Sequence, residues 1–202
     1  MTGTMPSQCA PAATRLRLRA AAGVHPSYRL QSGAAATAPH SVRSAPEHHL
    51  IRRSDPALRA MTDFAASPAF TIHADCTIDD ALDEMFRRGV RALLVLGEDE
   101  AVAGLITSYD IQGGRTRRYL EDHPACLREQ VRVGEVLTPC GQWRTIDVHR
   151  VESARIEDVL DIFRSTNVPY LVVLDTPDET AERLLRGMIS RSRLERQLGE
   201  SP

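Results

Sequence analysis

The chain has 202 residues, 42% of them apolar and 4% aromatic, with a net charge of −2. That length and apolar share suit one ordinary domain or two small ones and exclude wholesale disorder, while so few aromatics argue against a stacking platform for single-stranded nucleic acid. Residues 1–46 hold five Arg and no acid, whereas 47–202 hold twenty Arg and twenty-seven acids, so the folding part is acidic and poorly suited to a polyanion.

Residues 1–52 are rich in Ala, Ser, Pro and Arg and lack apolar periodicity, which predicts a disordered tail. Arg15, Arg17 and Arg19 in an acid-free, Ala-rich stretch have the composition of an organellar transit peptide, but a plain flexible tail or an over-called start codon is the favoured reading. No continuous apolar stretch follows these arginines, as a secretory signal would require, and no run approaches the length of a membrane span. A cytoplasmic chain is expected, or an organellar one if the tail is a transit peptide. Cys9, Cys76, Cys126 and Cys140 are scattered without a CxxC pair, which points to a reducing compartment and away from a zinc site.

Periodicity begins near residue 54. Asp55 and Pro56 suggest the cap and first turn of a short helix, Pro56–Met61, followed by an extended piece, Ala69–Ala74. Thr77 and Asp80 have the spacing of a capping box. Ile78, Ala81, Leu82 and Met85 then form one helical stripe, and Gly89 suits the left-handed end of that helix. Ala92–Leu96 is an unbroken apolar run, which implies a strand buried on both faces. A second strand, Val102–Thr107, passes directly into a helical segment, Ser108–Gln112. Residues 113–130 are charged and partly helical in pattern; Arg115, Arg117 and Arg118 read as a solvated linker, with phosphate contacts as the alternative.

The order then repeats: a short helix at Val133–Leu137, an extended piece at Gln142–Val148, a helix, strands Tyr170–Leu174 and Leu185–Ser190, and a helix at 191–198. Residues 77–96 align without gaps on 155–174, and eight of the twenty positions are identical. Ile156, Val159, Leu160 and Phe163 reproduce the helical stripe, and Asn167 stands where Gly89 stands, the other residue that tolerates a left-handed end.

The two copies close on Gly104-Leu-Ile-Thr107-Ser-Tyr-Asp110-Ile111 and Gly187-Met-Ile-Ser190-Arg-Ser-Arg193-Leu194, and Met61-Thr62 and Leu137-Thr138-Pro139 precede them. With these motifs, residues 54–198 resemble a tandem pair of cystathionine-β-synthase (CBS) domains, the Bateman module. The resemblance implies an α/β (α+β) fold of two pseudo-symmetric β-α-β-β-α domains, at 53–113 and 131–199, joined by a linker at 114–130. It also implies a stand-alone regulatory module, homodimeric, acting on an unidentified effector protein and binding an adenosine-containing ligand: AMP, ADP, ATP or S-adenosylmethionine. No cofactor is required by this reading. No GxSxG, P-loop, post-strand GxGxxG or metal-spaced His/Glu group occurs, so no catalytic residue is expected.

An adenosine ligand presents a flat base, a ribose diol and, when phosphorylated, an anion. Asp110 has the acceptor lone pairs that a diol needs, and Thr107 suits a phosphate or a cap. Gly104 would admit the base or a neighbouring strand against the backbone, and Ile72, Ala92 and Ile106 are candidate apolar walls. In the second copy Ser190 keeps the hydroxyl, but Arg193 replaces the acid and cannot accept from a diol, which predicts a weak or empty second site. Arg193 could instead reach toward a phosphate held by the first site. Degenerate pockets on a ligand-free interaction scaffold are the competing expectation.

Overall fold

The computed structural model describes Arg17–Leu18 and residues 50–98, 100–176 and 183–199. After β1 (Arg17–Leu18) and a 3-10 turn at Ala57–Ala60 come β2 (Met61–Asp63), β3 (Thr71–His73), α1 (Ile78–Arg88), β4 (Ala92–Leu96), β5 (Val102–Thr107), α2 (Ser108–Gln112) and α3 (Gly114–Asp122). The second half runs α4 (Val133–Val136), β6 (Thr138–Pro139), β7 (Thr145–Asp147), α5 (Val148–Ser153), α6 (Ile156–Thr166), β8 (Tyr170–Asp175), β9 (Leu184–Ser190) and α7 (Arg191–Gln197). The fold is mixed α/β, and the expected helix–strand–strand–helix repeat is present in both halves. Most of the expected tail lies outside the described residues; Arg17–Leu18 is a strand, and Ile51 is buried in the second core.

Local chemistry explains the repeated helices. The Thr77 hydroxyl accepts from the Asp80 N–H at 3.1 Å, while Asp80 accepts from the Thr77 N–H, also at 3.1 Å, so the capping box forms as expected. The α6 copy keeps only the returning half, Asp158 accepting from the Arg155 N–H at 2.8 Å. Gly89 (φ 65°) and Asn167 (φ 50°) both take the left-handed conformation that ends these helices.

Two sheets pack face to face with helices on their outer sides. β3, β4, β5 and β6 form one in that order; β7, β8 and β9 run side by side in the other, with β1 and β2 both on β9. Alternation along the central strands serves both faces. Leu93, Val95 and Ile106 meet Ile78, Met85 and Ile111, whereas Leu94, Leu96 and Leu105 meet Val172, Leu174 and Leu185 of the other sheet. Leu171, Val173 and Ile189 complete the pattern against Val159, Phe163 and Leu194. Even the irregularity is duplicated: a register shift falls after Val95 in one sheet and after Val173 in the other.

Each lead-in crosses to the other copy. β2, which precedes the first copy, pairs antiparallel with β9, and β6, which precedes the second, pairs antiparallel with β5. Ala57, Ala60 and Met61 are therefore buried in the second core, and Val131, Val133 and Val136 in the first. The crossing also satisfies helix N-termini: Ile78 donates to the Val131 carbonyl at 3.1 Å and Ile156 to the Asp55 carbonyl at 3.0 Å. A glycine admits each crossing strand. A Cβ on Gly104 would stand 2.5 Å from the Thr138 carbonyl oxygen, and one on Gly187 2.5 Å from that of Thr62.

Three local expectations change. Met61 begins a strand rather than ending a helix, and the lead-in residues Thr62 and Thr138-Pro139 are strands too, because the partner sheet supplies the ladder they complete. Residues 142–148 shorten to a three-residue strand because Asp147 accepts from the His149 N–H at 2.8 Å and starts α5, whose Val148 and Val151 are buried. Asp55 does not cap the first turn; Pro56 holds that place, and the Asp55 carboxylate takes the Arg52 N–H at 3.0 Å and the Arg59 guanidinium at 2.8 Å. Among the described residues no helix is long and apolar enough to cross a membrane.

A half-buried ion pair fastens β2 to β9. Arg186 Nε meets Asp63 Oδ1 at 2.9 Å and Nη2 meets Oδ2 at 2.8 Å. Burial alone would raise the Asp63 pKa, but hydrogen bonds from Arg186 and from the N–H groups of Ala65 and Ala66 outweigh it and hold the carboxyl below its ordinary value. Its stabilisation is full above about pH 4, the unfolded carboxylate value, and fades as pH falls toward the folded one. Asp63→Asn therefore costs about 1 kcal/mol in urea unfolding at neutral pH, and its midpoint converges on the wild type's in acid. A difference that persisted unchanged in acid would contradict the pairing. Gly104→Ala and Gly187→Ala each cost about 1–3 kcal/mol by the same measurement, because the new Cβ meets backbone; an unchanged midpoint would mean the crossing strand yields freely.

Candidate functional site

The first signature places its polar residues where β5 becomes α2. Thr107 is almost wholly buried and caps α2, its hydroxyl accepting from the Asp110 N–H at 3.1 Å. Asp110 Oδ2 in turn accepts from the Thr107 N–H at 2.9 Å and from its hydroxyl at 2.7 Å. Both lone pairs of Oδ2 are thus occupied, and the carboxylate is fixed in orientation with its side chain 14% exposed. Its other oxygen, Oδ1, faces the Arg115 Nε at 3.1 Å.

Arg115 is brought there by Gly113. The chain reverses at that residue so tightly that a Cβ would stand 2.4 Å from the Tyr109 carbonyl oxygen, and the Thr116 hydroxyl then donates to the Asp110 carbonyl at 2.9 Å. From the same guanidinium Nη1 donates to the Leu137 carbonyl at 3.2 Å and Nη2 to the Gln142 side-chain oxygen at 3.4 Å. Arg115 is therefore no solvated linker residue, unlike Arg117, which is 78% exposed and faces Glu121 at 3.7 Å. Its role depends on a tertiary turn and on a carbonyl twenty-two residues away; the Gly113-Gly114 pair was the one local signal of a sharp return.

The second copy differs at each equivalent point. Ser190 caps α7, accepting from the Arg193 N–H at 3.4 Å, and Arg193 Nη1 donates to the Thr62 hydroxyl at 2.7 Å. Tyr170, paired with Ser190 across β8 and β9, stands where the first copy has Ala92 paired with Thr107. Burial pushes the Tyr170 phenol pKa up, and the Asp110 carboxylate adds to the rise, while Arg91 and a hydrogen bond with Ser190 oppose it. Its ring packs on the layer between the sheets, as Ala92 does. Tyr170 is the residue that sequence reasoning left out of the site, although the repeat marks its place as a departure.

Of the other expected wall residues, Ala92 lies opposite Thr107 and packs at the edge of the layer between the sheets. Ile72 is half-buried against the first core. Ile106 is fully buried among the α1 and α2 side chains and has no surface to offer a ligand, and Gly104 is occupied with the crossing β6. The strand ends thus bring Ala92, Thr107 and Asp110 together in the first copy and Tyr170 and Ser190 in the second, with Ala92 and Tyr170 both packed on the layer between the sheets. A separate open hollow of about 600 Å³ lies in the angle of α2 and α3, bordered by Ile111, Thr116, Leu120, Arg117 and Arg128, and none of the expected site residues lines it.

Residues 61–113 match the family model of the CBS domain. No curated protein matches the chain. Among solved structures, an uncharacterized conserved protein from Pyrococcus horikoshii is 17% identical, with 75% of this chain and 98% of that one covered at a TM-score of 0.50, which shows a shared fold. A complex of the plant protein CBSX2 with AMP (the protein is from Arabidopsis thaliana) is 19% identical over 70% of this chain and 94% of its own, at a TM-score of 0.46. A CBS-domain-containing protein from Agrobacterium tumefaciens is 16% identical over 68% and 93%, at 0.47. The matched segment carries the first signature and has the character of a CBS domain, and the second half repeats its strands, helices, register shift and crossing lead-in.

Proposed function

We propose that this CBS pair is a regulatory, non-catalytic module that binds an adenosine-containing ligand at the junction of β5 and α2, through Asp110. The observation that carries this reading is the state of that carboxylate: the capping box fixes its direction, and Oδ1 is shared only with the partly exposed Arg115. A ribose diol offers two hydroxyl donors and needs such an acceptor. Ala92 and the Tyr170 ring flank the site and suit a flat base, with Ile72 as a further apolar neighbour. In the second copy Arg193 is a donor only and is already spent on Thr62, so that half binds adenosine weakly or not at all. A scaffold that needs no ligand is the second reading, favoured by the placement of Tyr170 beside Ser190 and Asp110.

Self-association belongs to the same proposal. Phe86 on α1 and Tyr109 on α2 are 90% and 77% exposed, whereas the equivalent positions of the second copy are Arg164 and Ser192. An apolar face confined to one copy suits a second copy of the chain.

Titration calorimetry of the full chain with adenosine, AMP, ADP, ATP and S-adenosylmethionine tests the reading. At least one compound is expected to bind, and Asp110→Asn is expected to weaken it about tenfold to a hundredfold, the loss of a charge-assisted contact. Thermal melting of the variant separates lost binding from lost fold. Flat titrations for all five compounds would favour the scaffold. In sedimentation velocity the wild type is expected to be dimeric and Phe86→Glu to shift toward monomer; a monomeric wild type would remove the self-association proposal.

A further inference from the structure

Arg115 joins three parts of the molecule from one guanidinium: the Asp110 carboxylate, the Leu137 carbonyl just before β6, and the Gln142 side chain between β6 and β7. Asp110 Oδ2 is already saturated by Thr107, so a diol can reach the carboxylate only at Oδ1, the oxygen that Arg115 holds. A diol that sets both hydroxyls on Oδ1 needs the lone pair that Arg115 Nε uses, and so displaces the guanidinium. With uncharged adenosine the cation is left without an anion; S-adenosylmethionine sets a sulfonium of like sign where a nucleotide has its first phosphate, and its carboxylate stands several bonds further out. A ribose bearing a phosphate returns a partner, and the planar fork of Arg suits phosphate oxygens.

We propose, resting on the Asp110 reading above, that Arg115 is a phosphate-selecting latch: it passes from Asp110, Leu137 and Gln142 to the ligand's phosphate, so that adenine nucleotides are preferred and their binding loosens the lead-in of the second copy. Exchange of one partner for another is the source of both properties. The first copy is where release has an effect, because Pro139 stands at the β6 position equivalent to Asp63 and Ala103 at that of Arg186, so no ion pair holds β6 to β5.

Calorimetry of the full chain with AMP, adenosine and S-adenosylmethionine, in the wild type and in Arg115→Ala and Arg115→Lys, tests the latch. The wild type is expected to bind AMP at least tenfold more tightly than adenosine, with S-adenosylmethionine weakest. Arg115→Ala is expected to lose that preference by weakening AMP and strengthening adenosine, as Oδ1 comes free, and Arg115→Lys to restore part of it. Amide exchange in residues 137–142 is expected to quicken when AMP binds the wild type and to be fast without ligand in Arg115→Ala. Equal losses for AMP and adenosine in Arg115→Ala, or no change for either, would overturn the latch while leaving the Asp110 site standing. Failure of the wild type to bind any of the three would overturn the site and the latch with it.

Discussion

Everything in this fold depends on the exchange of lead-in strands between its two halves. A sheet edge offers unpaired N–H and C=O groups that must be covered, and here each half covers the other's. Backbone can approach backbone at that line only because Gly104 and Gly187 carry no side chain. The same segments deliver the carbonyls that take the first helical N–H groups of α1 and α6, and the apolar residues that finish the opposite cores. Neither half has a complete core by itself, so the duplicated unit is structural only as a pair, and a change at the line between sheets is felt by both.

On that symmetric frame the chemistry is uneven. Duplicated positions read Ala92 and Tyr170, Asp110 and Arg193, Phe86 and Arg164, Ala103 and Arg186. Two of the substitutions in the second copy share a direction. Arg186 and Arg193 both reach the crossing segment of the first copy, through Asp63 and Thr62. Polar groups that could have faced a ligand there hold a strand instead. The first copy has Asp110 at the corresponding place, and Arg115 reaches the residue before its crossing strand, which β5 and the Cys140 thiol also hold. In the second copy Arg193, which cannot accept from a diol, and Arg186 are both engaged in holding the crossing segment.

Much of the repeat was legible because the information is local. Helical stripes, an acid three residues past a cap, Gly or Asn at a left-handed end and continuous apolar strands each announce their element within a dozen residues, and the offset copy repeated them. Thr107 and Asp110 were legible for the same reason, although their capping bond looks identical in sequence to a ligand-free cap. The crossing strands were not legible: Met61-Thr62-Asp63 and Thr138-Pro139 are too short to show a period, and their partner lies in the other half. α5 was hidden because Val148 continues the apolar pattern of the strand before it, and only the Asp147 cap ends that strand. Ile106 looked like a wall because alternation in a strand buried on both sides does not say which face meets the cleft. Arg115 was hidden among charges that do face water, since its partners are set by the turn at Gly113.

On the proposed binding at Asp110, the position of that arginine would give a physical route from a bound molecule to a partner. A regulatory domain must convert occupancy into a difference that another protein can bind, and the difference cannot exceed the ligand's preference for one state over the other. A carboxylate held by its own cap alone would bind a ligand without consequence, because nothing else would move. On the proposed reading, a ribose that takes the Arg115 position on Oδ1 disturbs the contacts of that guanidinium with Leu137 and Gln142. Since Leu137 leads into the strand that completes the first sheet, the disturbance falls on the exchange between halves rather than on a peripheral loop. Coupling then needs no long path: the acceptor of the ligand and the clasp of the crossing strand are separated by one side chain.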